Sequence, residues 1–155
     1  MTQSLLHTGL HPTASAALIS IGISSSRIVQ TIGNAKASAG THAADGTVNG
    51  KQYCAATDFS VRHPSALSAE GIKALLEKLA SVGYARYYRH PVFDHWPSTE
   101  EPPIHAVYAG CLMKKSLCDR IHDWCHGRHG LVPPAAYTVL QQSPHYIEIL
   151  RYTVF

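Results

Sequence analysis

The sequence predicts an α+β domain, with a small, mostly antiparallel sheet and flanking helices. Three observations carry this. Runs of strand-like composition recur at 27–32, 53–61, 84–89 and 104–109. Helical patterns fill 68–82 and 112–126. Asn49-Gly50 sits between strand-like flanks, and this pair favours a hairpin because a type I′ turn needs positive φ at both central residues.

Taken in order, residues 14–21 predict a short helix after His11-Pro12, capped by Thr13 or Ser15 and ended by Gly22. Arg27 to Ile32 is β-branched and predicts a strand, and the small, polar stretch 33–40 predicts a loop. After the Asn49-Gly50 hairpin the chain returns into a predicted strand, Tyr53 to Val61. Its alternation puts Cys54, Ala56, Asp58 and Ser60 on one face and Tyr53, Ala55, Thr57, Phe59 and Val61 on the other. The second face is the apolar one and is expected to meet the core. Ser68 to Val82 is the clearest helix. Ile72, Leu75, Leu76, Leu79 and Val82 share a face, Ser68 is placed to cap, and Gly83 follows as the C′ residue. Tyr84 to Arg89 predicts a strand. Residues 90–103 hold four prolines and no periodicity, so they predict a long loop. A short strand at 104–109 and a helix at 112–126 follow, the helix ended by Gly127 or Gly130. The tail contains Pro133-Pro134 and a strand-like run from Tyr146 to Phe155.

At 155 residues with 45% apolar content, the chain is long enough for one domain with a core of its own. No run approaches the roughly 20 apolar residues of a membrane span. Residues 1–7 lack a basic segment followed by an apolar one, so no secretory signal is read there and a cytoplasmic setting is expected. Export by a route not visible in the sequence stays open. The net charge of +3 is modest, and acidic residues interrupt every basic stretch. That argues against nucleic acid as a partner and suits a small anionic peptide. The oligomeric state is not legible.

Four cysteines, Cys54, Cys111, Cys118 and Cys125, form no C-x-x-C pair. The last three are spaced by seven and fall with His122 on one stripe of a continuous helix. A second metal site there is the alternative. The preferred reading is reduced, buried core thiols beside Leu117 and Ile121.

Histidine is the compositional outlier, with 11 residues. His7, His11, His63, His90 and His145 lie in polar or proline-flanked contexts and read as ordinary surface. His42 and His105 differ: each is framed by strand-like sequence, as is Asp58. Two imidazoles and one carboxylate suit zinc with one position left open, which a catalytic zinc needs.

These residues and their order resemble the zinc D-alanyl-D-alanine carboxypeptidases and the hedgehog signalling domain, which share a fold. In that family a His and an Asp, in a pattern like His…Gly…Ala-x-Asp, bind zinc, and a second His follows on a late strand. His42 matches the first ligand, Gly46 follows it, Ala56-Thr57-Asp58 matches Ala-x-Asp, and Ile104-His105 matches the late strand. The likeness spans about residues 10–127, within one domain of 1–155; residues 131–155 are a C-terminal extension outside it.

The chain departs from the pattern twice. The family sets the first His and the Asp closer together, whereas here fifteen residues (43 to 57) separate them and include the predicted hairpin. Asp45, three residues after His42, is the competing ligand. Asp58 is preferred for its Ala-x-Asp match and its strand. The family's general base, a Glu or His, stands two or three positions before the last His, where this chain has Pro102 and Pro103. Glu101 is the nearest carboxylate, and Glu100, Asp94 and His95 are the alternatives. The family's arginine clamp for the substrate carboxylate has no firm counterpart; Lys36 and Arg62 are the expected substrate-binding cations, with Arg27 also available. Ser38 or Thr41 is placed to orient His42. The resemblance thus implies a zinc-dependent peptidase, a carboxypeptidase or endopeptidase acting on a short, D-amino-acid-containing cell-wall peptide. The alternative is a zinc-binding recognition module of the same fold without catalysis.

Overall fold

The structure is a computed structural model, and it describes residues 5–33, 40–88 and 104–126. It is α+β, with helices α1 (Pro12–Ser20), α2 (Ala69–Ser81) and α3 (Lys115–Cys125). Strands β1 (Ile28–Gln30), β4 (Ala56–Phe59), β6 (Ile104–Tyr108) and β5 (Tyr84–Tyr88) form an antiparallel sheet in that order. Strands β2 (Gly46–Val48) and β3 (Lys51–Tyr53) form a separate hairpin. No helix among the described residues is long and apolar enough to cross a membrane.

The hairpin turns as its sequence dictates. Asn49 and Gly50 both take positive φ, 53° and 76°, as a type I′ turn requires. The predicted continuous strand 53–61 is instead broken at Cys54 and Ala55. There the chain leaves the hairpin for the main sheet, as Cys54 N–H donates to the Gly9 carbonyl and Ala55 N–H to the Asp45 carboxylate.

α1 starts at Pro12, earlier than predicted, because the His11 ring accepts from Thr13 N–H and supplies the cap. His11 also meets Tyr53 edge-on, with ring centroids 4.8 Å apart. It is therefore a capping residue. α2 is capped by Ser68, whose hydroxyl accepts from Gly71 N–H. α3 starts at Lys115 and not at 112. The preceding residues are held by others: Tyr53 Oη donates to the Leu112 carbonyl, and Lys114 N–H donates to Asp45. Residues 34–39, 89–103 and 127–155, with the predicted loop, the helix-ending glycines and the tail strand, lie outside the described residues.

The sheet is covered on both faces. α1 and α2 bury Leu18, Leu75, Leu76 and Leu79 against Phe59, Tyr84, Ile104 and Ala106. α3 buries Leu117, Ile121 and Trp124 against Ala56, Ala85, Tyr87 and Val107. Phe59 and Val61 meet the first core as their parity predicts, yet Cys54 and Ala56 of the other face are buried under α3. The sequence cannot show this, because small residues fit equally well under a helix or against solvent.

The cysteine stripe is corrected in part. All four described cysteines are free, and Cys54 is buried. Cys111 precedes α3, while Cys118 and Cys125 flank its buried face and are only half-buried; His122 is exposed and stacks on His126. Burial pushes the Cys111 thiol up to about 12, with help from the charge of Asp45.

Two outcomes follow from this packing. Leu79→Ala, at a fully buried contact between α2 and the sheet, is expected to cost about 2–5 kcal/mol in denaturant unfolding. Native thiol titration at neutral pH is expected to leave Cys54 unlabelled until the protein unfolds and to label Cys111 slowly, because its thiol is pushed up. Fast labelling of Cys54 would contradict its burial.

Candidate metal centre

Strand register sets two of the site residues side by side. Asp58 on β4 pairs with His105 on β6, and Tyr87 on β5 pairs with His105 from the other side. By alternation all three side chains leave the sheet on the face that α3 covers. The Asp58–His105 hydrogen bond spans this row: Nδ1 lies 2.7 Å from Oδ1.

His42 arrives from the segment between β1 and the hairpin. Its Nδ1 lies 2.7 Å from the Thr31 carbonyl, and its own carbonyl accepts from Gly33 N–H. Since a carbonyl only accepts, Nδ1 carries the proton and Nε2 is left for the site. Nε2 lies 3.1 Å from Asp58 Oδ2. The two imidazole rings stand edge to face with centroids 5.7 Å apart. One donor atom from each of His42, Asp58 and His105 lies within 4.8 Å of the others, and this group could hold a metal ion. No other described group of three or more His, Cys, Asp or Glu side chains does so. His42 and His105 are buried, and Asp58 retains the most exposure of the three, 17% of its side chain.

Asp45 has a different task. Its carboxylate is fully buried and accepts from Ala55 N–H at 2.7 Å, Lys114 N–H at 2.8 Å and Lys114 Nζ at 2.7 Å. Lys114 Nζ also donates to the Thr41 and Ala43 carbonyls, which flank His42. Asp45 thus builds the loop that carries His42 and lies outside the His–Asp–His group.

Arg120 of α3 is the site residue that sequence reading missed. Its Nη1 lies 2.9 Å from His105 Nε2 and its Nη2 lies 2.9 Å from Thr41 Oγ1. Nothing local marks it, because its relation to His105 exists only once α3 packs on β5 and β6. Thr41 meets Arg120 through its hydroxyl, rather than orienting the His42 ring. Arg62 is exposed, and its charge acts on Tyr88, which packs in the α1–α2 core on the opposite face. It is not part of the cluster. Lys36, Ser38, Asp94, His95, Glu100 and Glu101 lie outside the described residues.

The charges follow from these contacts. Burial opposes a charge on His42, but the hydrogen bond and charge of Asp58, with help from Cys54 and the Thr31 carbonyl, raise it to about 10. Burial likewise opposes a charge on Asp58, and the hydrogen bonds from His105 and His42 outweigh it and hold the carboxyl below its ordinary 3.8. Burial pushes His105 down, and Arg120 and His42 add to this. Near neutrality the group is an imidazolium, a carboxylate and a neutral imidazole.

Compared with protein families, curated proteins and solved structures, the chain matches none. The likeness to the zinc D-alanyl-D-alanine carboxypeptidases therefore rests on its own residues.

Two predictions come from this geometry. His42 binds its proton more tightly when folded, so the stability it contributes is complete below 6.5 and is lost as pH rises from 6.5 toward about 10. His105, held neutral, weakens the fold only below 6.5. The metal-free protein should therefore lose stability across the upper window, and Asp58→Asn should flatten that loss in urea titrations run at several pH values. Asp58→Ala should abolish metal retention. Asp45→Ala should cost about 3–5 kcal/mol, as expected for half of a buried ion pair, while its folded fraction still retains metal. The reverse pattern of metal content would make Asp45 the ligand.

Proposed function

We propose that this chain is a zinc-dependent peptidase of the D-alanyl-D-alanine carboxypeptidase and hedgehog fold class. Its proposed substrate is a short, cell-wall-derived peptide containing D-amino acids. The observation that carries the metal part is the convergence of His42, Asp58 and His105 donor atoms within 4.8 Å. Two imidazole nitrogens and a carboxylate oxygen form a donor set of the kind that catalytic zinc sites use, with a further position left for water or substrate. His42 also fits as a ligand, since its Nδ1 contact with the Thr31 carbonyl leaves Nε2 facing the group. The peptide part rests on the sequence pattern.

When bound there, zinc polarises a carbonyl and lowers the pKa of a water to about 7. The chain's own residues do the rest. Thr31 and Asp45 hold His42 in place, one through the ring and one through the loop. Glu101 is the proposed general base, just before β6, with Pro102 and Pro103 restricting the backbone between them. Lys36 is the proposed substrate cation; Arg62, whose charge acts on Tyr88 of the opposite core, is not carried into this role.

A recognition module that holds zinc without catalysis is the competing reading. It needs the same three donors and no general base.

Metal analysis and hydrolysis of a D-alanyl-D-alanine peptide panel test the proposal together. One zinc per chain is expected, lost in His42→Ala and His105→Ala. Glu101→Gln should keep zinc and remove most turnover. An active Glu101→Gln variant would move the base to Glu100, Asp94 or His95. Stoichiometric zinc with no hydrolysis would favour the recognition module, and a folded protein that takes up no zinc would overturn both. Because His42 must release a proton to ligate, zinc affinity should rise by about tenfold per pH unit below about 10.

A further inference from the structure

An arginine guanidinium has only donors to offer. Arg120 Nη1 lies 2.9 Å from His105 Nε2, so Nε2 is the acceptor and carries no proton. The proton of the neutral ring is then on Nδ1, which donates to Asp58 Oδ1 at 2.7 Å. Nδ1 is also the ring nitrogen that faces Asp58, so a cation shared with that carboxylate through Nδ1 would find the lone pair occupied by hydrogen. A neutral His105 that ligates through Nδ1 must carry its proton on Nε2. That N–H and the Arg120 N–H would then point at each other.

The guanidinium is held where it stands by more than His105. Nη2 donates to Thr41 Oγ1 at 2.9 Å, next to His42, and the Arg120 carbonyl accepts from Tyr87 Oη at 2.7 Å. Tyr87 is the strand neighbour of His105. One residue of α3 is therefore tied to the segment of each histidine.

We propose that Arg120 is a positioning residue that holds His105 in the tautomer unable to ligate through Nδ1 while covering the lone pair of Nε2, so that a cation enters only when the guanidinium turns off Nε2. The inference rests on the metal reading of the site. The exchange is balanced within the ring: Nδ1 gives its proton to solvent, Nε2 takes one from solvent, and His105 stays neutral. The cost is one charge-assisted hydrogen bond in the metal-free protein, so Arg120 lowers the affinity of the site and makes loading depend on α3.

The test combines ¹⁵N spectra of the His105 ring with zinc competition titrations at one pH. In the metal-free wild type, Nδ1 should be protonated and Nε2 bare. Arg120→Met should release the proton toward Nε2 and raise zinc affinity by roughly tenfold or more, the worth of one hydrogen bond to a charged group. Arg120→Lys, which keeps the charge without the fork, should fall between. Thr41→Val, which loosens the guanidinium but leaves it present, should give a smaller rise, and these two variants carry the test if Arg120→Met does not fold. A wild-type ring protonated on Nε2, or folded variants with unchanged or weaker zinc affinity, would overturn the proposal. If the wild type takes up no zinc, the metal reading fails, and the ring spectra alone still decide whether Arg120 sets the tautomer.

Discussion

The architecture around the site depends on one buried carboxylate. Asp45 accepts from the backbone of Ala55, the backbone of Lys114 and the Lys114 ammonium. These donors belong to the entry of β4 and the start of α3, while Asp45 itself belongs to the loop after His42. A fully buried carboxylate is tolerated only when its lone pairs are satisfied, and here a single group satisfies itself by tying three segments together. Lys114 extends the tie to the carbonyls of Thr41 and Ala43. The position of His42 over Asp58 follows from this knot and from the Thr31 contact.

On that frame the candidate centre forms a compact electrostatic system. Asp58 is shared by two imidazoles, and Arg120 closes the far side of His105. Four ionisable groups in a poorly solvated place cannot all be charged. The arrangement resolves this by charging His42, keeping His105 neutral and leaving Asp58 ionised. The same contacts that settle the metal-free protein oppose ligation, since both imidazoles hold protons toward Asp58. A proposed zinc centre of this kind is loaded by exchanging protons for metal, so its stability and its affinity respond to pH in opposite directions above 6.5.

The hairpin between His42 and Asp58 shows why spacing along the chain is a poor guide to spacing in the site. Fifteen residues separate His42 from Asp58, yet the Asn49-Gly50 turn folds β2 back on β3 and returns the chain beside its start. Asp45, nearer to His42 in sequence, is consumed by structure. Proximity in sequence favoured the wrong carboxylate, and strand parity favoured the one that meets both histidines.

The sequence by itself determined the local elements: the amphipathic face of α2, its Ser68 cap, the type I′ turn, and the alternation that sends Asp58 and Phe59 to opposite sides of β4. These depend on neighbours within a few residues, where composition and period act directly. It also singled out His42, Asp58 and His105, because strand-framed polar residues are unusual. The tertiary structure alone decided what surrounds them. The late start of α3, the capture of Asp45 by Lys114 and the reach of Arg120 to His105 are contacts between elements 15 to 79 residues apart. Such contacts leave no periodicity in the chain, since they arise from the packing of one helix on one face of a sheet.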